Sequence, residues 1–168
     1  MRRREAAVGS AGFFVVAPLM VAGVLPWWIS RSDTWRYDPP GWTRIVGVVL
    51  VVAGVAVLVH SFVRFVAARG TPAPVAPTER LVVDGAYRFV RNPMYVAVVT
   101  ISLGQGLVHG SGLALAYAGL VWAVTASFVR LYEEPALRRQ FGPEYDTYCA
   151  GVPGWVPRLT PWTGDPAP

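Results

Sequence analysis

The chain has 168 residues, 54% of them hydrophobic and only 15% charged, with a mean hydropathy of +0.41; this is the length of one domain, and its charge content falls well below the roughly one quarter usual in soluble domains. All 15 basic residues are arginine, which excludes lysine nucleophiles and Schiff bases, while a single cysteine, Cys149, and two distant histidines, His60 and His109, exclude an internal disulfide and a Cys-based zinc site. The net charge of +5 comes from arginines that flank apolar runs, which reads as membrane topology and not as nucleic-acid binding.

In chain order, no charge occurs between Glu5 and Arg31, and a helix over those residues, rising 1.5 Å per residue, exceeds a hydrocarbon core of roughly 30 Å. A first span is expected over 11–30. It reads as a retained anchor, because it is long and ends in Trp27-Trp28 without a small-x-small cleavage site. The loop that follows, with Arg31, Trp35, Arg36, Tyr37, Trp42 and Arg44, reads as an interfacial aromatic belt without chemistry of its own. A second span is expected over 45–67, its end marked by Arg64 and Arg69, which can snorkel to the headgroups. His60 and Arg64 share a helix face there, a spacing that fits either function or packing. The loop over 69–92 contains a proline-rich run at 71–77, the apolar Leu81-Val82-Val83 and a turn at Asp84-Gly85.

From Asn92 to Val129 the only titratable residue besides tyrosine is His109, and the stretch has the length of two crossings. Spans are expected over 93–108 and 113–131, folded back at His109-Gly110-Ser111-Gly112, with Asn92 as N-cap and Pro93 at the first helical position. Gly104-Gln105-Gly106 lies within a helix and reads as close helix packing with a polar contact. Arg2, Arg3, Arg4, Arg69, Arg80, Arg88, Arg91, Arg138, Arg139 and Arg158 fall on one side of this arrangement, against Arg31, Arg36 and Arg44 on the other, so both termini are expected in the cytoplasm. The expectation is an all-α integral membrane protein of the plasma (inner) membrane. It is one domain over 1–168 with about four transmembrane helices, a hairpin of the third and fourth, and a cytoplasmic amphipathic tail over 132–168.

Polar chemistry clusters on the cytoplasmic side. Glu133-Glu134 is expected to end the fourth helix, where carboxylates beside an apolar helix are costly unless paired or solvated, and the hairpin brings Arg88 and Arg91 to the same level. A site and a solvated helix end both fit. Tyr87, Arg88, Arg91, Asn92 and Tyr95 gather cations, an amide and phenols around a helix start that can receive an anion; a capped helix with interfacial tyrosines fits the same residues. Phe141, Tyr145 and Tyr148 suit a short amphipathic helix lying on the membrane.

Asn92-Pro-Met-Tyr95, His109-Gly-Ser111 and Leu131-Tyr-Glu-Glu-Pro135 resemble the phospholipid N-methyltransferase pattern. Gly85-Ala-Tyr-Arg-Phe-Val-Arg91 before them, and Phe141-Gly-Pro-Glu-Tyr-Asp-Thr-Tyr148, Val156-Pro-Arg158 and Pro161 after them, resemble the isoprenylcysteine carboxyl methyltransferases of the same membrane superfamily. The resemblance covers roughly residues 45 to 161. The carboxyl methyltransferase branch carries Arg-His-Pro where this chain has Arg91-Asn92-Pro93, and only Gly54-Val55-Ala56 offers a partial match to a G-x-G on an earlier helix. The resemblance implies methyl transfer from S-adenosyl-L-methionine, to a carboxyl oxygen or an amine nitrogen, with a lipid-like acceptor arriving from the bilayer. It assigns the cofactor to Glu133 and Glu134, with Tyr87, Arg91, Asn92 and Tyr95 beside them, and Arg88, Tyr145 and Tyr148 as candidates for the substrate. No metal is needed, no catalytic base is assigned, and oligomeric state is not readable. The rival from another class is a non-catalytic scaffold in which the same charges merely position the hairpin.

Overall fold

The computed structural model describes residues 16–67, the last three through their backbone only, and 81–164. Arg2, Arg3, Arg4, Arg69, Arg80, the proline-rich run, the start of the first span and the last four residues lie outside that range. The described residues are helical, with no strand beyond an isolated bridge between Arg36 and Ser111.

The helix that enters the description at Val16 widens into a π turn over Leu19–Val24 and continues as α1, Leu25–Ser32. It is followed by α2 (Gly41–Ala67), a 3-10 turn (Gly85–Arg88), α3 (Pro93–His109) and α4 (Gly112–Phe128). α4 runs through a second π turn, Val129–Glu133, into α5 (Glu134–Phe141), and α6 spans Pro143–Gly151. By length and composition two helices can cross a membrane, Gly41–Arg64 and Gly112–Phe141, and Pro93–His109 is an apolar helix of shorter length. The outward faces agree with an apolar surround: Ile45, Val48, Val52, Val59, Leu120 and Val124 are all exposed.

α2 and α3 pack at close range because glycines remove side chains from the contact. A Cβ on Gly47 would fall 2.7 Å from the Gly104 carbonyl oxygen, and one on Gly104 would fall 2.6 Å from that of Gly47. Gly54 meets Ala97 and Ile101 in the same way, two turns further along. A first core gathers Ala22, Val98, Ile101 and Val121, and the polar groups facing it are paired: Gln105 Nε2 donates to the Ala22 carbonyl and the Tyr117 hydroxyl to that of Val21 at 2.8 Å.

The turn between α3 and α4 uses Gly110, at φ +60°, in the left-handed region that glycine adopts without cost. Ser111 caps α4 by accepting from Ala114 N at 3.1 Å. Asp33 completes this corner. It is buried, accepts from the Ser111 hydroxyl, from Trp35 N and from Leu113 N, and so ties the end of α1 to the start of α4. Burial acts to raise its pKa, but these donors and nearby Arg36 outweigh it and hold the carboxyl below its ordinary value. The loop expected to be only a belt thus carries a structural lock.

Two expectations are corrected. Glu133-Glu134 does not end a helix, because the chain stays helical through the π turn to Phe141. Both π turns stop two residues short of a proline, at Val24 before Pro26 and at Glu133 before Pro135. Proline lacks the N–H and crowds the carbonyl four residues back, and the local widening accommodates it without a break. Tyr145 and Tyr148, expected on a membrane-surface helix, are instead 3% and 2% exposed and form a second core with Val152. Leu81, Val83, Leu137, Phe141 and Trp162 cover that core, so the apolar face of α6 is buried against the protein itself.

Candidate functional site

Arg91, Asn92 and Tyr95 lie around the start of α3, and the turn at Gly110 returns the chain so that the far end of the α4 helix reaches the same level. Arg91 Nη1 donates to Glu134 Oε1 at 3.0 Å, and the Tyr95 hydroxyl donates to Glu133 Oε2 at 3.1 Å. The adjacent carboxylates thus straddle the start of α3, one on the guanidinium and one on the phenol. Of the two arginines expected at this level, Arg91 is the one that pairs, and it takes Glu134, which follows directly on the π turn.

Arg91 is the hub. The Nη1 that meets Glu134 also lies 2.7 Å from Cys149 Sγ and 3.5 Å from the Tyr145 hydroxyl. Burial alone lowers the pKa of this guanidinium, but Cys149, Tyr145 and Glu134 outweigh burial and raise it, so it stays a cation. Its Nε is buried and has no partner among the described residues. Arg91 and Glu134 side chains are 17% and 21% exposed, a setting in which an orphaned N–H is costly unless a ligand supplies the acceptor.

Asn92 sits at the N-cap position of α3 but does not cap it: its Nδ2 donates to the Gly154 carbonyl at 3.0 Å, and no side-chain bond to the helix N–H groups forms. Tyr87 is buried, and its carbonyl accepts from the Tyr148 hydroxyl at 2.7 Å. Burial raises the phenols of Tyr87, Tyr145 and Tyr148, helped at Tyr87 by the Glu133 charge, at Tyr145 by Cys149 and at Tyr148 by Tyr87. All three are neutral hydrogen-bonding groups and not bases. Arg88 Nε is taken up by the Trp162 carbonyl at 2.6 Å.

The cofactor candidates Arg91, Tyr95, Glu133 and Glu134 therefore converge, with Tyr87 beside them and Asn92 bonded to the tail. Arg88, Tyr145 and Tyr148 are engaged by the tail and its core. Residues that sequence reasoning passed over are Cys149, Trp155 and Trp162. Cys149 had a signal, since it lies four residues after Tyr145 on α6 and shares its face. Trp155 stands with its ring 6.5 Å from that of Tyr95 and 6.3 Å, edge-on, from that of Trp122, which is half exposed on the apolar side of α4. A row of rings therefore leads from the outer surface to the phenol that holds Glu133. Among the described residues no group of three His, Cys, Asp or Glu side chains could hold a metal ion.

Such an arrangement can bind a ligand carrying both donors and a carboxylate. Each glutamate has a second oxygen able to accept hydroxyl groups, and Arg91 Nε together with the helix start can meet an anion.

Comparison with known proteins gives matches over this region. A family model described as phospholipid methyltransferase matches residues 42–144. Protein-S-isoprenylcysteine O-methyltransferase B of Arabidopsis thaliana is 30% identical over 133 residues, an alignment covering 78% of this chain and 60% of that protein. The Schizosaccharomyces pombe protein-S-isoprenylcysteine O-methyltransferase is 31% identical over 80 residues, covering 47% and 34%. The nickel-cobalt-cadmium resistance protein NccN of Alcaligenes xylosoxydans xylosoxydans is 34% identical over 80 residues, covering 48% and 37%. The chain spans less than two thirds of the length of each of these relatives.

Proposed function

The chain belongs to the phospholipid methyltransferase family, and on that premise we propose that it is an integral membrane methyltransferase that uses S-adenosyl-L-methionine to methylate a lipid-like, membrane-partitioned acceptor, as the names of its isoprenylcysteine O-methyltransferase relatives suggest. The observation that carries the proposal is the convergence of Arg91 and Tyr95 with Glu134 and Glu133 across 43 and 38 residues of sequence, around a buried guanidinium N–H that has no partner among the described residues.

When bound, the cofactor would supply a methyl group on a sulfonium, whose carbon an acceptor oxygen or nitrogen can take as the neutral thioether leaves. In this reading the protein's part is to bind, orient and exclude water. Glu133 and Glu134 would accept hydroxyl hydrogen bonds, Arg91 Nε would donate to a carboxylate of the cofactor, and the Tyr95 ring would offer a π face to a cation. Tyr95 also holds the Glu133 carboxylate in place. The acceptor approaches along Trp122 and Trp155, the rings that connect the apolar face of α4 with Tyr95. The spans complete a four-helix arrangement in the plasma (inner) membrane, with the α3–α4 hairpin opening its site toward the cytoplasm and both termini on that side.

Calorimetric titration of S-adenosylhomocysteine into the detergent-purified protein tests this, with the Glu133→Ala/Glu134→Ala double variant as control. Saturable binding that is lost in the double variant is expected. No binding by a well-folded wild type, with lipid present, would favour a scaffold in which Arg91 and Glu134 only fasten the hairpin.

A further inference from the structure

The match to the family model ends at residue 144, yet the segment that carries Arg88, Arg91 and Asn92 is held largely by chain beyond that point. Arg91 N donates to the Pro153 carbonyl, Arg158 N to that of Phe89 and Trp162 N to that of Arg88, each at 2.9 Å. The side chains add the Asn92 bond to Gly154 and the Arg88 bond to Trp162 described above. Between the 3-10 turn and α3 these backbone groups have no helical partners, so the tail supplies what regular structure would otherwise supply.

Near its end the tail is also seated by packing, at Trp162. The Trp162 indole packs edge-on against Tyr148, with ring centroids 5.6 Å apart, and lies so close over Gly151 that a Cβ there would fall 2.2 Å from its Nε1. Trp162 and Arg88 also exchange hydrogen bonds in both directions, Trp162 N to the Arg88 carbonyl and Arg88 Nε to the Trp162 carbonyl. Neither Gly151 nor Trp162 lies in the residues matched by the family model.

We infer that Trp162 is a positioning residue for the methyl-donor site: seated on Gly151 and Tyr148, it locks residues 152–162 as a clasp over residues 87–92 and thereby aims the Arg91 guanidinium. This rests on the cofactor reading proposed above. Arg91 is the last residue but one before α3, in irregular backbone whose N–H is bonded to Pro153. With the clasp released, that N–H and the carbonyls of Arg88 and Phe89 turn to water, and the side chain keeps only its Nη1 contacts to Glu134, Cys149 and Tyr145 on a backbone that is free to shift.

The test uses the full chain in detergent with three substitutions, Trp162→Ala, Trp162→Phe and Gly151→Ala. Trp162→Ala is expected to weaken S-adenosylhomocysteine binding by about tenfold or more, the scale of one hydrogen bond to a charged group. Trp162→Phe keeps a ring on Gly151 and Tyr148 and is expected to recover affinity to within about threefold of wild type. Gly151→Ala removes the seat without touching Trp162 and is expected to behave like Trp162→Ala, so a folding failure of one variant leaves the other informative. Amide hydrogen exchange reads the clasp independently: exchange at residues 88–91 is expected to accelerate in both weakening variants while that of α2 and α3 holds. Unchanged exchange overturns the clasp. Accelerated exchange with unchanged affinity overturns the positioning role. Absence of binding by the wild type overturns the cofactor reading itself, and the positioning role falls with it.

Discussion

The Arg91–Glu134 pair gives the sharpest quantitative test of the site. At the observed 3.0 Å, two unit charges attract by about 5 kcal/mol at an effective dielectric of about 20, and removing both groups from water offsets most of that. A net coupling of about 1–2 kcal/mol is expected, in a double-mutant cycle of Arg91→Gln and Glu134→Gln. The two single substitutions are not equivalent. Glu134→Gln leaves Arg91 with Cys149 Sγ and the Tyr145 hydroxyl and is expected to cost about 1–1.5 kcal/mol. Arg91→Gln leaves a carboxylate that is 21% exposed without its cation and is expected to cost about 3 kcal/mol. The double variant is expected to cost about the same as Arg91→Gln alone. Unfolding of all four proteins in matched micelles, followed by a probe of helix content, measures the cycle. Additivity of the two substitutions within about 0.5 kcal/mol would refute a coupled pair.

Four other substitutions test the surrounding architecture. Gly104→Ala puts a methyl 2.6 Å from the Gly47 carbonyl oxygen and 2.8 Å from Val51 Cγ2, and is expected to destabilise by about 1–3 kcal/mol in the same unfolding assay. Gly119→Ala, where a Cβ meets nothing within 4 Å, is expected to be neutral or stabilising by up to about 1 kcal/mol. Asp33 has a depressed pKa in the folded protein, so its contribution is complete above the ordinary carboxylate value of about 4 and is lost as pH falls through the lower folded value. An acid titration of stability should therefore show an excess loss below about pH 4 that Asp33→Asn abolishes; an identical acid profile in the variant would remove the corner lock from the account. Pro135→Ala restores an N–H and relieves the crowding behind the π turn, with stability equal or higher by up to about 3 kcal/mol. The same change is expected to weaken S-adenosylhomocysteine binding as Glu133 and Glu134 rotate; unchanged affinity would show that the π turn does not aim them.

The helices and the turn at Gly110 were legible because they rest on strong local signals: charge-free runs, a glycine pair and Pro93 at a first helical position. The acidic pair was legible as a candidate for the same reason, since carboxylates stand out against an apolar helix. Its partners were less so. The sequence brings Arg88 and Arg91 to the level of the pair without choosing between its members, and the change of register at Val129–Glu133 bears on which carboxylate meets Arg91 and which meets Tyr95. A proline inside a helix, as at Pro135, can be accommodated by widening the turn before it. The tail was hardest to read. Its bonds run to backbone carbonyls of Arg88 and Phe89, and a backbone acceptor leaves no mark in the sequence of the segment that carries it. Tyr145 and Tyr148 looked interfacial because their spacing fits any amphipathic helix, whether its apolar face meets lipid or protein.

The two cores suggest how binding and stability are divided in this molecule. Ala22, Val98, Ile101 and Val121 form one apolar cluster among the helices, and Tyr145, Tyr148 and Val152 form another in the tail. Between them Arg91, Asn92, Tyr95, Glu133 and Glu134 are joined by polar bonds and by backbone pairing. Apolar burial supplies most of the cooperative stability of a fold, whereas polar contacts across a seam can open locally at lower free energy. The tail can therefore loosen from residues 87–92 without unfolding α2, α3 or α4. A ligand bound at the seam stabilises the closed form by mass action, and it acts first on this cheaper opening. Binding should thus be most visible as slower amide exchange in residues 88–91 and 152–162, and least visible in the global unfolding midpoint.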